Sequence, residues 1–248
     1  MRIKRLGLKN YRNLGNVELT FPSMKTLIIG KNAQGKTNIL ESIYFLSDLK
    51  SPRTSTVSDL IKFNEEKFEI NAEVEKNNTD IELDFSYDSE KKREIKINKV
   101  KSRVKDFKSV VKTVLFSTKD LLLLRGTPQD RRDWLDRAIS QIYPAYDERL
   151  SKYDKIRIQK NNLLKNEFVD EALYDIYNEQ MVITGANIIF LRKKFLREIQ
   201  KIASLKHKII SDTEDFGLNY TCPGDEIEEI CEHLKQELQE RRREEFAR

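Results

Sequence analysis

Gly30-Lys31-Asn32-Ala33-Gln34-Gly35-Lys36-Thr37 decides how this chain of 248 residues is read. It is a complete G-x-x-x-x-G-K-T pattern. Before it runs Thr26-Leu27-Ile28-Ile29, an apolar stretch that predicts a buried strand. After it, Ile39, Leu40, Ile43 and Leu46 recur at helical spacing. Strand, glycine loop and helix form the context in which the pattern becomes a phosphate site. Gly30 and Gly35 are expected to supply backbone angles and close approach that a Cβ would block. The loop's N–H groups then form an anion nest, to which the helix N-terminus adds partial positive charge. Lys36 reaches the β- and γ-phosphates, and the Thr37 hydroxyl suits Mg²⁺. The expected nucleotide-binding residues are Gly30, Lys31, Asn32, Ala33, Gln34, Gly35, Lys36, Thr37 and Asn38.

Composition narrows the class. Hydrophobic residues make up 38% of the chain and charged residues 35%. No apolar run approaches the roughly 18 residues of a membrane span. The N-terminus alternates like a strand and lacks the apolar core of a signal peptide, so the expected location is the cytoplasm. Cys222 and Cys231 with His207 and His233 do not make a zinc site, which needs four ligands at tighter spacing. The net charge of +5 permits a nucleic-acid partner without demanding one.

The charge is unevenly placed. Residues 91–112 carry ten Lys or Arg against Glu94 and Asp106. Lys92, Arg93, Lys96, Lys99, Lys101, Arg103 and Lys105 are candidate DNA contacts. A solvated charged face is the competing reading. With no regular aromatic interleaving, phosphate contact is expected rather than base stacking. A second basic stretch, Arg192-Lys193-Lys194, Arg197, Lys201, Lys206 and Lys208, reads more simply as a helix surface.

Along the chain, Ile3 to Leu8 and Val17 to Phe21 predict strands joined by a long turn from Asn10 to Asn16. Ser58 to Phe63 predicts a short helix. Residues 67–100 alternate as strands, with hairpin turns at Asn77-Asn78 and Asn98-Lys99. Val110 to Phe116 predicts a further buried strand. Beyond it the pattern is helical: Asp130–Tyr143, Asp147–Lys165, one or two helices over Asp170–Leu205, and a last helix over 226–247 capped by Asp225. The expected domains are 1–120 and 121–248.

Five segments in order resemble the RecF family of bacterial recombination-mediator ATPases, related to SMC and ABC-type heads. They are Asn10-Tyr11-Arg12-Asn13, Gly30 to Glu41, Ser51-Pro52-Arg53-Thr54-Ser55, Leu115-Phe116-Ser117 with Asp120-Leu121, and Gly126-Thr127-Pro128 with Arg131-Arg132 and Leu135-Asp136. The resemblance implies an α/β fold: an ABC-type P-loop ATPase lobe with a β-rich N-terminal half, then a mainly helical arm. It implies binding of ATP and Mg²⁺, an ATP-dependent homodimer, and binding of DNA at gaps and single-strand/double-strand junctions. RecO and RecR are the implied partners in loading RecA. It also adds Arg12 and Asn13 to the nucleotide site. Arg12 is otherwise a solvated turn residue, and Arg53 is either a phosphate contact or an exposed loop residue. Arg131, Arg132 and Asp136 form either a salt-bridge cluster or a DNA or partner contact.

The sequence departs from the family at several points. Lys31 and Ala33 replace residues that are often Glu and Gly. A positive φ at Ala33 would cost about 1–2 kcal/mol. Thr118-Lys119-Asp120 lacks the usual Pro-Glu, and Lys160 stands where Arg is usual. A signature loop and a Walker B strand with its acids are absent, so the chain is expected to be an N-terminal part of a longer protein. It would then bind nucleotide with negligible turnover. A nucleotide-switched, non-enzymatic DNA-structure binder and another SMC-type head fragment remain alternatives. A P-loop kinase complete in this chain would need an acidic base and a second-metal site.

Overall fold

In a computed structural model, which describes residues 1–118, 120–123, 125–211 and 213–247, the chain divides into two compact units, Met1–Leu122 and Leu123–Arg248. The Thr118-Lys119-Asp120 segment noted above includes Lys119, which lies outside the described residues.

The first unit is built on a six-stranded antiparallel sheet in the order β2-β1-β3-β4-β5-β6. Its strands are β1 (Arg2–Tyr11), β2 (Leu14–Thr20), β3 (Lys67–Lys76), β4 (Thr79–Asp88), β5 (Arg93–Ile97) and β6 (Val100–Lys101). Alternation makes the sheet one-sided. Leu6, Leu8, Phe68, Ile70, Val74, Leu83 and Phe85 are buried on one face. Helix α1 (Lys36–Asp48) shares that core: the Phe45 ring lies edge-on to Phe85 at 4.9 Å and to Phe68 at 6.1 Å. The short helix α2 (Val104–Lys108) adds the buried Phe107. A 3₁₀ turn at Val57–Leu60 replaces the expected helix over Ser58 to Phe63. The two asparagine turns are present, with positive φ at Asn77, Asn78, Asn98 and Lys99. That conformation matches the twist of a two-residue hairpin.

Three expectations need correction. The turn between the first two strands is two residues long, because Tyr11 pairs with Leu14 and only Arg12 and Asn13 remain at the tip. Residues 26–29 form no strand, and Leu27 and Ile29 are each 82% exposed. Val110 and Val111 are buried, but residues 112–116 form no strand either, and Val114 and Phe116 are 99% and 76% exposed. The reason is the same in both segments. Apolar alternation yields a buried strand only beside a ladder partner and under a covering layer, and the six described strands offer these two segments neither.

The second unit is helical: α3 (Pro128–Ile142), α4 (Tyr146–Leu163), α5 (Glu171–Ile210) and α6 (Ile227–Phe246). Helix α3 starts at a capping box in which Thr127 and Asp130 satisfy each other's backbone N–H groups. Residues 171–210 form one helix rather than two. Residues 217–222 form no strand. The cap of α6 is Glu226, boxed with Glu229, and not Asp225, which pairs with Lys193 at 3.1 Å. Among the described residues no helix is long and apolar enough to cross a membrane.

The unit's polar core sits among Leu135, Ile139, Ile188 and Phe195. Arg192, on α5, holds Asp136 of α3 through two 2.8 Å hydrogen bonds. It also donates to the hydroxyls of Tyr146 and Tyr220 at 3.0 and 3.1 Å. Burial works to lower the Arg192 pKa, but the Asp136 hydrogen bonds and nearby groups hold it above its ordinary value. Two sequence expectations change here. Arg192 belongs to the core and not to a basic surface. Asp136 pairs with Arg192, whereas Arg131 donates to the Gly126 carbonyl and Arg132 to Gln129. Lys160 is likewise buried, paired with Glu245 at 2.6 Å and lying over the Tyr174 ring. It ties α4 to α5 and α6.

Candidate nucleotide site

The glycine loop leads straight into α1, whose first residue is Lys36. Gly35 caps the helix in the left-handed region, with φ of 89°. A Cβ there would fall inside Leu14 Cδ2 and 3.0 Å from Asn13 Oδ1. The expected need for glycine therefore holds at Gly35. It does not hold within the chain at Gly30, where a Cβ would meet only Lys36 Cδ at 3.9 Å.

Lys36 spans the loop. Its Nζ donates to the carbonyls of Gly30 at 2.6 Å and Lys31 at 2.7 Å. The ammonium is thus held against the loop backbone at the N-terminus of α1. Asn32, Ala33, Gln34 and Thr37 are exposed around it, and Thr37 lies in the first turn of α1. The donor set fits a chain of phosphates: an ammonium and a helix N-terminus in one place. The Thr37 hydroxyl is the residue present that could ligate Mg²⁺.

Ala33 has φ of 64°. The left-handed conformation strains any residue with a Cβ. We expect Ala33→Gly to raise stability by about 0.5–1 kcal/mol, the relief of strain outweighing the extra freedom of glycine in the unfolded chain. A denaturant midpoint that falls instead of rising would contradict this.

The hairpin tip closes the site. Asn13 Nδ2 donates to the Ala33 carbonyl at 2.8 Å, and Asn38 Nδ2 donates to Asn13 Oδ1 at 2.7 Å. Arg12 sits at φ of 55°, with its backbone N–H on the Leu60 carbonyl. Its guanidinium grips Glu41 in two bonds, of 3.1 and 2.7 Å, and reaches the Asp59 carbonyl at 3.0 Å. Arg12 is therefore no solvated turn residue. Arg53 donates to Asn38 Oδ1 at 2.6 Å and to Glu41 at 3.3 Å. Ser51 donates to the same carboxylate and also accepts the backbone N–H groups of Arg53 and Thr54.

Sequence reasoning assigned no role to Glu41. Its side chain is 1% exposed. Burial would raise its pKa, but the hydrogen bonds of Arg12 and Ser51 and the charges of Arg12 and Arg53 outweigh that and hold it below the usual carboxylate range. The available signal was an acid inside the apolar stripe of α1, with arginines in both neighbouring quoted segments.

The candidate DNA residues lie on or beside β5 and β6. Lys92 pairs with Glu90, Lys96 with Glu94 at 3.0 Å, Lys99 with Glu82 at 3.0 Å, and Arg103 with Asp106 at 2.8 Å. Arg93, Lys101 and Lys105 are exposed. Farther along the same stretch, Lys108 is paired with Asp48 at the end of α1. The basic run is thus interleaved with acids of its own stretch, Glu90, Glu94 and Asp106, joined by Glu82 from β4 and Asp48 from α1.

Residues 2–203 match the RecF/RecN/SMC N terminal domain. The DNA replication and repair protein RecF of Bacillus cereus (strain G9842) is 38% identical over 216 residues, covering 85% of this chain and 57% of that protein. RecF of Clostridioides difficile (strain 630) is 38% identical over 224 residues, covering 89% of this chain and 60% of that protein. The chain therefore spans somewhat under two thirds of the length of these relatives. A solved structure of the recombination mediator protein RecF-ATPrS in the RecFOR pathway superposes with a TM-score of 0.91 at 32% identity, covering 99% of this chain and 69% of that one. The corresponding RecF-ATP structure gives 0.90, also at 32% identity, covering 68% of that chain. The antiparallel sheet, the glycine loop entering α1 and the helices beyond it are thus the RecF form of the ABC-type ATPase fold, and the chain belongs to the RecF family.

Proposed function

We propose that the protein is an ATP-binding DNA replication and repair protein of RecF type, and that residues 30–38 with Arg12 and Asn13 hold the nucleotide. The observation that carries this is Lys36, which lies across the Gly30 and Lys31 carbonyls at the N-terminus of α1. The relatives described as RecF-ATP and RecF-ATPrS support the same reading. A bound ATP would bring its own Mg²⁺, with Thr37 as the protein's ligand to it. Lys36 and the loop amides bind and orient the phosphates.

Within this reading the sheet unit is part of the ATPase lobe and the helical unit is the arm. The protein binds gapped and junction DNA, dimerises on ATP, and works in the cytoplasm with RecO- and RecR-type partners to load RecA. Phosphate contacts from the exposed Arg93 and Lys101 are the simplest DNA interface on the β5–β6 edge, and binding through them would weaken steeply with salt. The 248-residue chain by itself binds nucleotide without appreciable turnover. The acid on α1 nearest the loop, Glu41, is buried against two guanidiniums and is a poor proton acceptor. That observation favours a second reading for this chain alone, a nucleotide-switched DNA binder without hydrolysis.

The test is ATP affinity by calorimetry. Lys36→Ala removes a charge-assisted donor and is expected to weaken ATP binding about 10- to 100-fold, with the fold intact by circular dichroism. Equal affinity in the variant would remove the site from the loop. A Lys36-dependent turnover of about 1 per second, within the ordinary enzyme range, would overturn the statement on hydrolysis.

A further inference from the structure

The carboxylate buried behind the phosphate loop has more donors than neutrality requires. Glu41 takes both forks of Arg12, one nitrogen of Arg53 and the Ser51 hydroxyl. One guanidinium would balance its charge. With two, Glu41 is the anion that keeps the guanidiniums from repelling each other, and the Asp59 charge also acts on Arg12. Arg12 is held in a bidentate grip with 20% of its side chain exposed, whereas Arg53 keeps one long contact to Glu41 beside its 2.6 Å bond to Asn38 and is 46% exposed. A continuous set of hydrogen bonds runs from the loop to this pair: the Ala33 carbonyl to Asn13, Asn13 to Asn38, Asn38 to Arg53 and Arg53 to Glu41.

We propose that Glu41 is a positioning residue of the nucleotide site, holding Arg12 and Arg53 together so that the exposed Arg53 guanidinium stands ready beside the loop for a bound polyphosphate. This rests on the nucleotide-binding reading above. Glu41 itself touches no ligand. It acts through Arg53, which Asn38 ties to the loop and whose exposed face is the part of the pair able to turn. Ser51 sets the backbone of the Arg53 segment and binds the same carboxylate, so one acid fixes both the side chain and the loop that carries it.

The experiment is a double-mutant cycle on ATP affinity in the folded protein, with Glu41→Gln, Arg53→Ala and their combination, alongside Lys36→Ala. Each single change is expected to weaken ATP binding about tenfold, and the pair also about tenfold, because one acts through the other. A loss of about a hundredfold in the double variant, the product of independent effects, would overturn the proposal. So would Glu41→Gln binding ATP as tightly as the unsubstituted protein, since a purely structural acid would shift the melting temperature and leave the affinity of the folded protein alone. Should Glu41→Gln fail to fold, Ser51→Ala removes only a hydroxyl from the same carboxylate. It is expected to weaken ATP about two- to threefold, with no further loss in the Arg53→Ala background. Unchanged affinity, or an equal loss in that background, would overturn the proposal. If the unsubstituted protein binds no ATP, or Lys36→Ala binds it equally well, the nucleotide reading falls and takes this one with it. If those two results hold and the cycle is additive, only the role of Glu41 falls.

Discussion

Replacing Arg192 by methionine is expected to cost the helical unit about 3–5 kcal/mol, the loss typical of breaking a buried ion pair by removing one partner. The size follows from what is left behind. Asp136 would lose both 2.8 Å bonds to the guanidinium and keep the Tyr146 hydroxyl, and Tyr220 would lose its donor. An ionised carboxylate in that position is costly to bury alone. The paired variant separates this cause from simple loss of packing. Arg192→Met combined with Asp136→Leu removes both charges and replaces them with apolar volume, which is often neutral or stabilising for a buried pair. We therefore expect the double variant to recover most of the loss in a denaturant titration. If the double change costs as much as the sum of the two single ones, the pair is not acting as a unit and the core is held by packing alone.

That pair also marks where reading the sequence stops. Asp136 and Arg192 were both visible, one beside two arginines and one inside a basic run, but nothing local joins residues separated by 56 positions. Local chemistry was legible. The asparagine turns, the alternation of β3 and β4 and the helical spacing of α1 each state their structure within about ten residues, since turn angles and side-chain periods are short-range properties. The entry of the glycine loop into α1 was legible for the same reason. Glu41 was not, because its role depends on Arg12 and Arg53 arriving from separate segments. The short Arg12-Asn13 turn was missed because polar residues from Asn10 to Asn16 look like a loop, although cross-strand pairing continues through Tyr11 and Leu14. Residues 26–29 and 112–116 carried the apolar pattern of strands, but a pattern specifies only what could be buried. A neighbouring strand decides whether it is.

The loop's two glycines should respond very differently to a single added methyl group. Gly35→Ala is expected to cost about 2–5 kcal/mol, from a left-handed backbone of about 1–2 kcal/mol and overpacking of about 1–3 kcal/mol. The new Cβ would collide with Leu14, a core residue that cannot move outward freely, and crowd Asn13 Oδ1 at 3.0 Å. Asn13 is the group that accepts from Asn38 and donates to the Ala33 carbonyl, so its displacement breaks the tie between hairpin and loop. ATP affinity should therefore fall with stability, by about tenfold or more when measured below the melting transition. Gly30→Ala adds a methyl that meets Lys36 Cδ at an ordinary 3.9 Å and has no left-handed backbone to oppose it. Its stability cost should stay within about 0.5–1 kcal/mol, the range of a surface change. Thermal unfolding of the two variants side by side checks the argument. Equal shifts would mean that the requirement for glycine at residue 35 does not come from Leu14 and the backbone angle. A Gly30→Ala variant that melts normally but loses ATP would instead place the ligand's phosphates directly against residue 30, a constraint that comes from the nucleotide and not from the folded chain.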